Sequence, residues 1–355
     1  MPKMKLRVGV IGVGAIADEM HLPNWQELEA EGRVELMAVC DIRPDRAAEM
    51  GAKYGARVVH TDYKKMLRDG SYDIIDVCTQ NRFHAPIAID ALKSGANVLV
   101  EKPMAMNSME CRSMIQAATD AKKKLMVAQH MRFEAGAEKL KEIIEEGRLG
   151  TVYAANATFL RRRGIPGWGK FHIAKESLGG PLIDLGVHVL DLAVWLMGSP
   201  KPVAASGKVY RMFGDRPDLC NGEWGERHDP KEFDVEDYAS AYVRFENDIT
   251  LTLDVSWAAN IECERSGVSI LGDRAGATTS PLAVYGYEGR TLTSTRYDWL
   301  PIQEGHRMEI RHFVECLERN RPVRVQPAES LRIQQIIDAI YESSRKNAEV
   351  RIKSV

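Results

Sequence analysis

The sequence lacks the features that mark several classes of protein. It has no Cys-x-x-Cys pair, no internal repeat and no low-complexity segment. No apolar run approaches the ~20 residues that a membrane-spanning helix needs. The formal net charge of −2 gives no electrostatic reason to expect nucleic acid or anionic lipid as a partner. The six cysteines lie far apart, which is typical of reduced, mostly buried thiols. We therefore expect a cytoplasmic protein.

The chain has the composition of a soluble globular protein, with 45% hydrophobic and 28% charged residues. Its 355 residues suit two domains. In residues 1–130, short apolar runs alternate with amphipathic stretches such as Arg46–Tyr54 and Ala85–Lys93. This alternation predicts a parallel sheet covered by helices on both faces, a Rossmann-type α/β domain. The predicted strands are Leu6–Ile11, Val34–Cys40, Ile74–Cys78, Val98–Val100 and Leu125–Ala128.

The pattern changes in the second half. Runs that alternate with period two predict several antiparallel strands, and Asn247-Asp248 lies between two of them as a hairpin turn. Residues 131–355 are therefore expected to form an α+β domain with a large, mostly antiparallel open sheet. Helices are predicted at Leu182–Met197 and Ser330–Lys346, and a long excursion or lid at Asp215–Asp234. The predicted strands are Thr151–Leu160, Ala239–Phe245, Ile249–Ser256 and Ser266–Leu271.

A glycine-rich turn follows the first predicted strand. Gly12 and Gly14, with Ala15, Ile16 and Ala17 after them, form a G-x-G-x-x-A pattern that opens a helix. The first glycine permits a tight turn, the second lets the backbone approach a pyrophosphate, and the alanine lets helix and strand pack closely. The pattern alone is weak evidence for nucleotide binding, since a glycine turn with a purely structural role can have the same sequence. Its place at the first strand–helix junction favours dinucleotide binding.

The choice between NAD and NADP depends on two residues, Asp41 and Arg43, that follow the second strand. Asp41 lies where an acidic residue hydrogen-bonds the adenosine ribose hydroxyls, and its charge would repel a 2′-phosphate. Arg43 could instead accept that phosphate or stack on adenine. NAD is therefore preferred, and NADP stays an alternative.

Two further segments carry ionisable side chains in suggestive places. The fifth predicted strand ends in Glu101 and Lys102, at the edge of the sheet where ligands bind in such folds. A surface lysine is the alternative interpretation. Asp184 and His188 are spaced i, i+4 and would share one face of a helix. They could equally be a core histidine and its carboxylate partner, and no third ligand follows at a spacing that would indicate a metal site.

Taken together, these segments resemble the Gfo/Idh/MocA family, named for glucose–fructose oxidoreductase and inositol dehydrogenase. The resemblance also rests on Thr79-Gln80-Asn81 followed by His84 and on Gly179-Gly180, in order and spacing over nearly the whole chain. It implies a Rossmann domain followed by an α/β domain with an open sheet. It also implies oxidation or reduction of a hydroxyl or ketone on sugars, cyclitols and related polyols.

The resemblance also implies roles for individual residues. Lys102 would contact the reacting oxygen and the nicotinamide ribose, His188 would be the general acid/base, and Asp184 would orient it or bind a neighbouring hydroxyl. Histidine has a suitable pKa for such proton transfer without help. Two positions depart from the family's pattern, since Gln80 often corresponds to proline and His130 to asparagine. The cofactor-binding set that follows is Gly12, Gly14, Ala15, Ile16, Asp41, Arg43, Thr79, Asn81, His84, Glu101 and Lys102.

A loop between a strand and the Asp184/His188 helix suggests the substrate side. Trp168, within a glycine-rich loop, could stack on a sugar ring or on the cofactor. The guanidinium of Arg163 could bind a carboxylate or several hydroxyls. Alternatively, Arg163 and its two neighbouring arginines form a solvated edge.

The leading prediction is an NAD(P)-dependent dehydrogenase for a sugar, sugar derivative or cyclitol. One alternative is a redox-neutral glycosidase that uses NAD for transient oxidation of the sugar, since it would need the same hydride site. A nucleotide-sensing module is the non-enzymatic alternative, and the proton-transfer groups count against it. An open sheet face is usually covered by another subunit, so a homodimer or homotetramer is expected.

Overall fold

The computed structural model describes residues 5–216, 218 and 228–353. The chain forms two compact units. Unit 1 comprises Met1–His130 and Glu304–Leu331, and unit 2 comprises Met131–Gln303 and Arg332–Val355. Most of the excursion expected at Asp215–Asp234 lies outside the described residues.

Unit 1 is built around a six-stranded parallel sheet in the order β3-β2-β1-β4-β5-β6. Successive strands are added on one side from β1 to β3 and on the other side from β4 to β6. The switch point therefore lies between β1 and β4, where ligands bind in doubly wound sheets. The strands are β1 (Leu6–Ile11), β2 (Val34–Cys40), β3 (Val58–His60), β4 (Ile74–Val77), β5 (Asn97–Glu101) and β6 (Leu125–Ala128). The helices between them are α1 (Leu22–Ala30), α2 (Pro44–Tyr54), α3 (Tyr63–Asp69), α4 (Asn81–Lys93) and α5 (Ser108–Ala121).

The predicted Rossmann fold is confirmed, and its central strands are buried on both faces. Val8, Val10 and Val98 have no exposed surface, as β-branched side chains between two helical layers require. Gly95, which follows α4, has φ +94°, the left-handed conformation that glycine allows after a helix. The sequence pattern missed β3, because its two valines are exposed and it is only three residues long.

Unit 2 contains a nine-stranded sheet whose pairs are antiparallel except for one parallel pair, and this mostly antiparallel architecture was predicted. The strands up to residue 296 are β7 (Val152–Leu160), β8 (Pro202–Tyr210), β9 (Tyr238–Phe245), β10 (Thr250–Ser256), β11 (Arg265–Gly272), β12 (Gly276–Thr279), β13 (Leu282–Glu288) and β14 (Thr291–Arg296). The helices are α6 (Ala135–Glu145), α7 (Ala174–Ser177) and α8 (Val187–Leu196). The predicted hairpin joins β9 and β10, with φ 62° at Asn247 and 57° at Asp248.

The C-terminal part of the chain contributes to both units. It contains α9 (Gly305–Glu318), α10 (Pro327–Lys346) and β15 (Val350–Arg351), which completes the order β14-β13-β12-β11-β7-β10-β9-β8-β15. Residues 304–331, assigned on sequence grounds to the second domain, pack within unit 1 instead. Helix α9 lies against α1 and β6, and Arg33 donates to Glu318 at 2.9 Å. An amphipathic helix does not reveal from its own pattern which sheet it covers.

One stretch of unit 2 is long and apolar enough to cross a membrane by length and composition alone. It spans Ala174–Leu196, and 94% of its most apolar window is buried inside the protein. This stretch was not predicted as a long apolar segment, because one proline, several glycines and polar residues interrupt it. Its burial is that of a core helix: Leu190 and Val194 pack in the main apolar cluster of unit 2.

Candidate active site

The glycine-rich turn in unit 1 leaves open space beside its backbone. Gly12 has φ +86°, and a Cβ there would lie 2.6 Å from the Cys78 carbonyl oxygen, so the position requires glycine. A Cβ added to Gly14 would meet nothing within 4 Å. Ala15, which is exposed, and half-buried Ile16 begin the helix that follows. Free backbone N–H groups in such a first turn bind phosphate oxygens, so the turn fits a dinucleotide.

Asp41 follows β2 beside this turn, as predicted. Its carboxylate accepts hydrogen bonds from the backbone N–H of Val13 at 3.1 Å and of Arg43 at 3.0 Å. The Arg43 side chain, more than half exposed, also donates to Asp41 at 3.3 Å. Asp41 is therefore held in a fixed orientation, and Arg43 partly neutralises it.

The loop after β4 contains a buried hydroxyl group that a bound ligand could satisfy. The Thr79 hydroxyl is buried and has no hydrogen-bond partner in the described structure. A buried donor of this kind is costly unless something satisfies it. Asn81, nearly buried, begins α4 in the same loop. These residues therefore fit NAD. Gly12 and Gly14 would hold its pyrophosphate, Asp41 would hold its adenosine ribose, and the Thr79 hydroxyl would hydrogen-bond another polar group of the nucleotide.

The His84 side chain is enclosed by protein atoms and contacts two backbone carbonyl groups. It is completely buried, and its ring nitrogens lie 2.8 Å from the Thr79 carbonyl oxygen and 2.7 Å from that of Pro103. Burial lowers the pKa of His84, against the opposing effect of these two carbonyl groups. The side chain joins the loop after β4 to the loop after β5. Any effect of His84 on a cofactor therefore acts through these loops.

Glu101 and Lys102 lie at the carboxyl end of β5. One Glu101 oxygen accepts from the Lys102 backbone N–H at 3.0 Å, and the other lies 2.9 Å from His21 Nε2. Burial would raise the pKa of Glu101, but the hydrogen bond and charge of His21, with the charge of Lys102, lower it to about 2. Glu101 is thus an anion that fixes the backbone carrying Lys102. The Lys102–Pro103 peptide bond is cis.

His21 was missed by the sequence analysis. It ends a π-helical turn, Ala17–His21, that lies between the glycine-rich turn and α1. Its Nδ1 lies 2.8 Å from Asp76 in β4, and Trp25 Nε1 donates to the same carboxylate oxygen at 2.7 Å. The sequence signal was slight, because one histidine shortly after a G-x-G-x-x-A pattern looks like any helix residue.

Two further histidines stack near this cluster. The rings of His130 and His306 lie 3.9 Å apart with an angle of 16° between their planes. Burial lowers the pKa of His130 to about 3 and that of His306 to about 4. Both rings are therefore neutral at pH 7 and can stack without charge repulsion. His130, which replaces the asparagine common in the family, accordingly has a partner from the C-terminal segment.

In unit 2, Asp184 and His188 are both nearly buried, with 8% and 7% of their surface exposed. Asp184 accepts a hydrogen bond from Trp257 Nε1 at 3.0 Å. The predicted helix is present, but its first turn, Leu182–Gly186, is π-helical and only Val187 onwards is α-helical. π-Helical turns of this kind are frequent at functional sites. Asp184 lies within that turn and His188 just after it.

The start of this helix is held by residues that the sequence analysis did not single out. Glu236 accepts from the Leu182 backbone N–H at 3.0 Å and from the Tyr341 hydroxyl at 2.9 Å. A Cβ on Gly179 would overlap the Tyr341 hydroxyl, and one on Gly180 would overlap the Glu236 carbonyl oxygen. The two glycines are therefore required for close packing, and the Glu236–Tyr341 pair fixes where the helix begins.

The two residues predicted on the substrate side, Arg163 and Trp168, have different environments. The Arg163 guanidinium donates to the Ala259 carbonyl oxygen at 3.0 Å and to Asn260 Oδ1 at 2.8 Å, and it lies over the Phe213 ring. These contacts favour a structural role, so ligand binding by Arg163 gains no support from its geometry. Trp168 is 37% exposed in its loop. Arg161 is more buried than Trp168. Burial lowers the pKa of Arg161, and the charges of Asp184 and Glu264 act to raise it.

Comparison with protein families matches almost the whole chain. A family model described as "Oxidoreductase family, NAD-binding Rossmann fold" matches residues 6–129. A second, described as "Oxidoreductase family, C-terminal alpha/beta domain", matches residues 141–352. Both belong to the family that the motifs resemble.

Individual relatives agree with these matches. The chain is 34% identical over 355 residues to D-glucoside 3-dehydrogenase of Escherichia coli (strain K12), covering 99% of each protein. It is 28% identical to myo-inositol 2-dehydrogenase of Thermotoga maritima over 224 residues, covering 63% of this chain and 62% of that one. Among solved structures, levoglucosan dehydrogenase in complex with NADH has a TM-score of 0.85 at 22% identity, covering 99% of this chain and all of that one.

Proposed function

Because this chain belongs to the Gfo/Idh/MocA family of NAD-binding oxidoreductases, we propose that it oxidises a ring hydroxyl of a sugar, sugar derivative or cyclitol to a ketone. The observation that carries this proposal is the 34% identity, over 99% of both chains, to a D-glucoside dehydrogenase. A D-glucoside is therefore the first substrate to test, with C3 as the first carbon. The reverse reduction uses the same groups.

The proposed roles follow from the balance of the reaction. A hydride leaves the carbon and a proton leaves the hydroxyl oxygen, so the carbon–oxygen single bond becomes a ketone. NAD, when bound, supplies the hydride acceptor. His188 accepts the hydroxyl proton as general base, and Asp184 orients it or binds a neighbouring hydroxyl. The Lys102 ammonium stabilises the negative charge that develops on the oxygen.

The first test is turnover on a panel of glucosides, free sugars and inositols with NAD⁺ and, separately, NADP⁺. Reduced nicotinamide and released sugar are followed in parallel. We expect steady formation of NADH with at least one substrate and no release of free sugar. Sugar release without net NADH would instead establish the redox-neutral glycosidase. The relatives reported above are dehydrogenases by name and give that alternative no support.

Preference for NAD is tested by replacing Asp41 with serine. We expect the affinity for NADH to fall about 10-fold or more, because a hydrogen bond to a charged group contributes about 1.5–3 kcal/mol. The affinity for NADPH is expected to rise, since the charge that repels a 2′-phosphate is gone while Arg43 stays. Fluorescence titration of both nucleotides measures this. Unchanged affinities would show that Asp41 does not contact the ribose.

Assembly and location are further parts of the proposal. The strands of the nine-stranded sheet carry large exposed apolar side chains, including Tyr153, Tyr287 and Leu292, which a second copy of the chain could cover. A homodimer or homotetramer is expected by light scattering. A cytoplasmic location is supported by the free thiols at Cys40, Cys78, Cys263 and Cys316.

A further inference from the structure

A continuous chain of hydrogen bonds ends at the backbone of Lys102, within unit 1. It runs from Asp76 to His21 at 2.8 Å, from His21 to Glu101 at 2.9 Å, and from Glu101 to the Lys102 backbone N–H at 3.0 Å. His21 and Asp76 are wholly buried, and Glu101 is 5% exposed. The chain thus links β4, the π-helical turn and the end of β5. None of these contacts was expected from the sequence.

The geometry determines the protonation of His21. Both ring nitrogens face carboxylate oxygens, and an ionised carboxylate can only accept a hydrogen bond. Both nitrogens therefore carry protons, which makes His21 an imidazolium cation between Asp76 and Glu101. Burial alone would lower the pKa of His21, but the charges and hydrogen bonds of Asp76 and Cys78 together outweigh it and raise the pKa well above the ordinary value. An imidazolium has no lone pair for a metal ion, so the clustering of His21 with these acids does not indicate a metal site.

Helix α9 places one more acid against this chain. Glu309 has no exposed surface, and neither of its carboxyl oxygens has a hydrogen-bond partner in the described structure. One of these oxygens lies within 4.8 Å of both a His21 nitrogen and a Glu101 oxygen. An ionised carboxylate in that position would have no hydrogen-bond donor among the described residues to offset the loss of its hydration. Glu309 is therefore a neutral acid. The imidazolium of His21 is then paired only with the carboxylates of Glu101 and Asp76 among these three acids.

We propose that His21 and Asp76 are positioning residues for hydride transfer, which hold Glu101 as a correctly oriented anion and, through it, fix the Lys102 backbone. This inference rests on the proposed function of Lys102, since the position of that lysine matters only if it acts in the reaction. His21 touches neither substrate nor cofactor in this account. Its contribution is to keep Glu101 ionised and immobile in a buried site.

The test exchanges His21 for glutamine, an uncharged side chain that can still hydrogen-bond Glu101. We expect kcat to fall about 10-fold or more, because a 1 Å displacement of a reacting group can cost about 10²-fold. The KM for substrate and the affinity for NADH should change less than kcat, within about 3-fold, since most contacts to both molecules are made by other residues. His60→Gln, a change of the same kind in unit 1, is the matched control and should keep the activity of the parent protein.

The pH profile separates positioning from a merely structural role. In the parent protein Glu101, with its depressed pKa, stays ionised down to about pH 2. Without the His21 charge, burial raises that pKa, so activity of the variant should fall on acidification at a higher pH than in the parent protein. The charged or titratable groups around Glu101 are His21, Asp76, Cys78, His84, Lys102, His130, His306 and Glu309. Parental kcat and an unshifted profile would overturn the proposal, as would lost kcat with an unshifted profile.

A second measurement does not depend on turnover. Nitrogen-15 NMR of the imidazole groups, with the His21 signals assigned from their loss in the variant, reports protonation directly. We expect His21 to stay doubly protonated from about pH 6 to about pH 9, where an ordinary histidine with pKa about 6.5 loses its proton. A neutral His21 in that range would overturn the proposal even if the protein is inactive on every substrate tested. Absent turnover with a protonated His21 would count against the proposed function alone.

Discussion

Replacing Lys102 with methionine is expected to lower kcat about 10²- to 10³-fold, the usual loss when one group that stabilises a developing oxyanion is removed. Methionine keeps most of the length and the apolar part of the side chain but has no charge. The backbone N–H that Glu101 accepts is retained, so the loop after β5 should keep its structure. Steady-state kinetics with the best substrate of the panel measures the effect. NADH binding should stay measurable.

His188→Asn is the companion change in unit 2. Loss of a general base typically costs about 10²- to 10⁴-fold in rate, so turnover should be nearly abolished. Asparagine remains polar in this nearly buried position and cannot accept the proton at neutral pH. Undiminished turnover in both variants would show that the reaction does not use these two residues. Loss of NADH binding together with activity would instead show that the substitution has disturbed the fold.

The largest effect on stability is expected for Asp191→Ala. Asp191 in α8 accepts two hydrogen bonds from Arg132, at 2.6 and 2.7 Å, and both side chains are almost fully buried. Removing one partner leaves the other charge buried without compensation, which costs about 3–5 kcal/mol. Chemical denaturation followed by circular dichroism should show the free energy of unfolding reduced by that amount.

Glu349→Ala provides the comparison for that measurement. Glu349 pairs with Arg244 at 3.1 Å, and both side chains are about half exposed. Exposed ion pairs contribute about 0–1 kcal/mol, so this variant should be almost as stable as the parent protein. Equal losses in the two variants would contradict the importance of burial. A stable Asp191→Ala protein would mean that Arg132 finds water or another acceptor.

The parts of the structure that were predictable are those that depend on local patterns. Buried β-branched runs gave the central strands of the first sheet, and alternation with period two gave β7, β9, β10 and β11. Gly12 was recognised because a tight turn requires glycine, and the ribose contact of Asp41 was predicted because it requires an acid at a fixed spacing from that turn. These features can be detected in a few consecutive residues.

The remaining features depend on contacts between distant parts of the chain. His21, Glu101 and Glu309 come from three separate segments, and nothing in the sequence near any one of them indicates the others. The two π-helical turns, Ala17–His21 and Leu182–Gly186, were also unpredictable, because one additional residue in a helical turn leaves the hydrophobic pattern almost unchanged. The structural contacts of Arg163 were not predictable for a related reason. Its partners, Ala259 and Asn260, are nearly a hundred residues away.

Net transfer of hydride from a sugar carbon to NAD is tested most directly by isotope labelling. The most active substrate of the panel would be prepared with deuterium at its ring carbons and incubated with the protein and NAD⁺. Mass spectrometry of the nucleotide should show NADH carrying one deuterium, formed in proportion to the ketone produced. Unlabelled NADH, or free sugar with no net NADH, would contradict a dehydrogenase that takes hydride from a ring carbon.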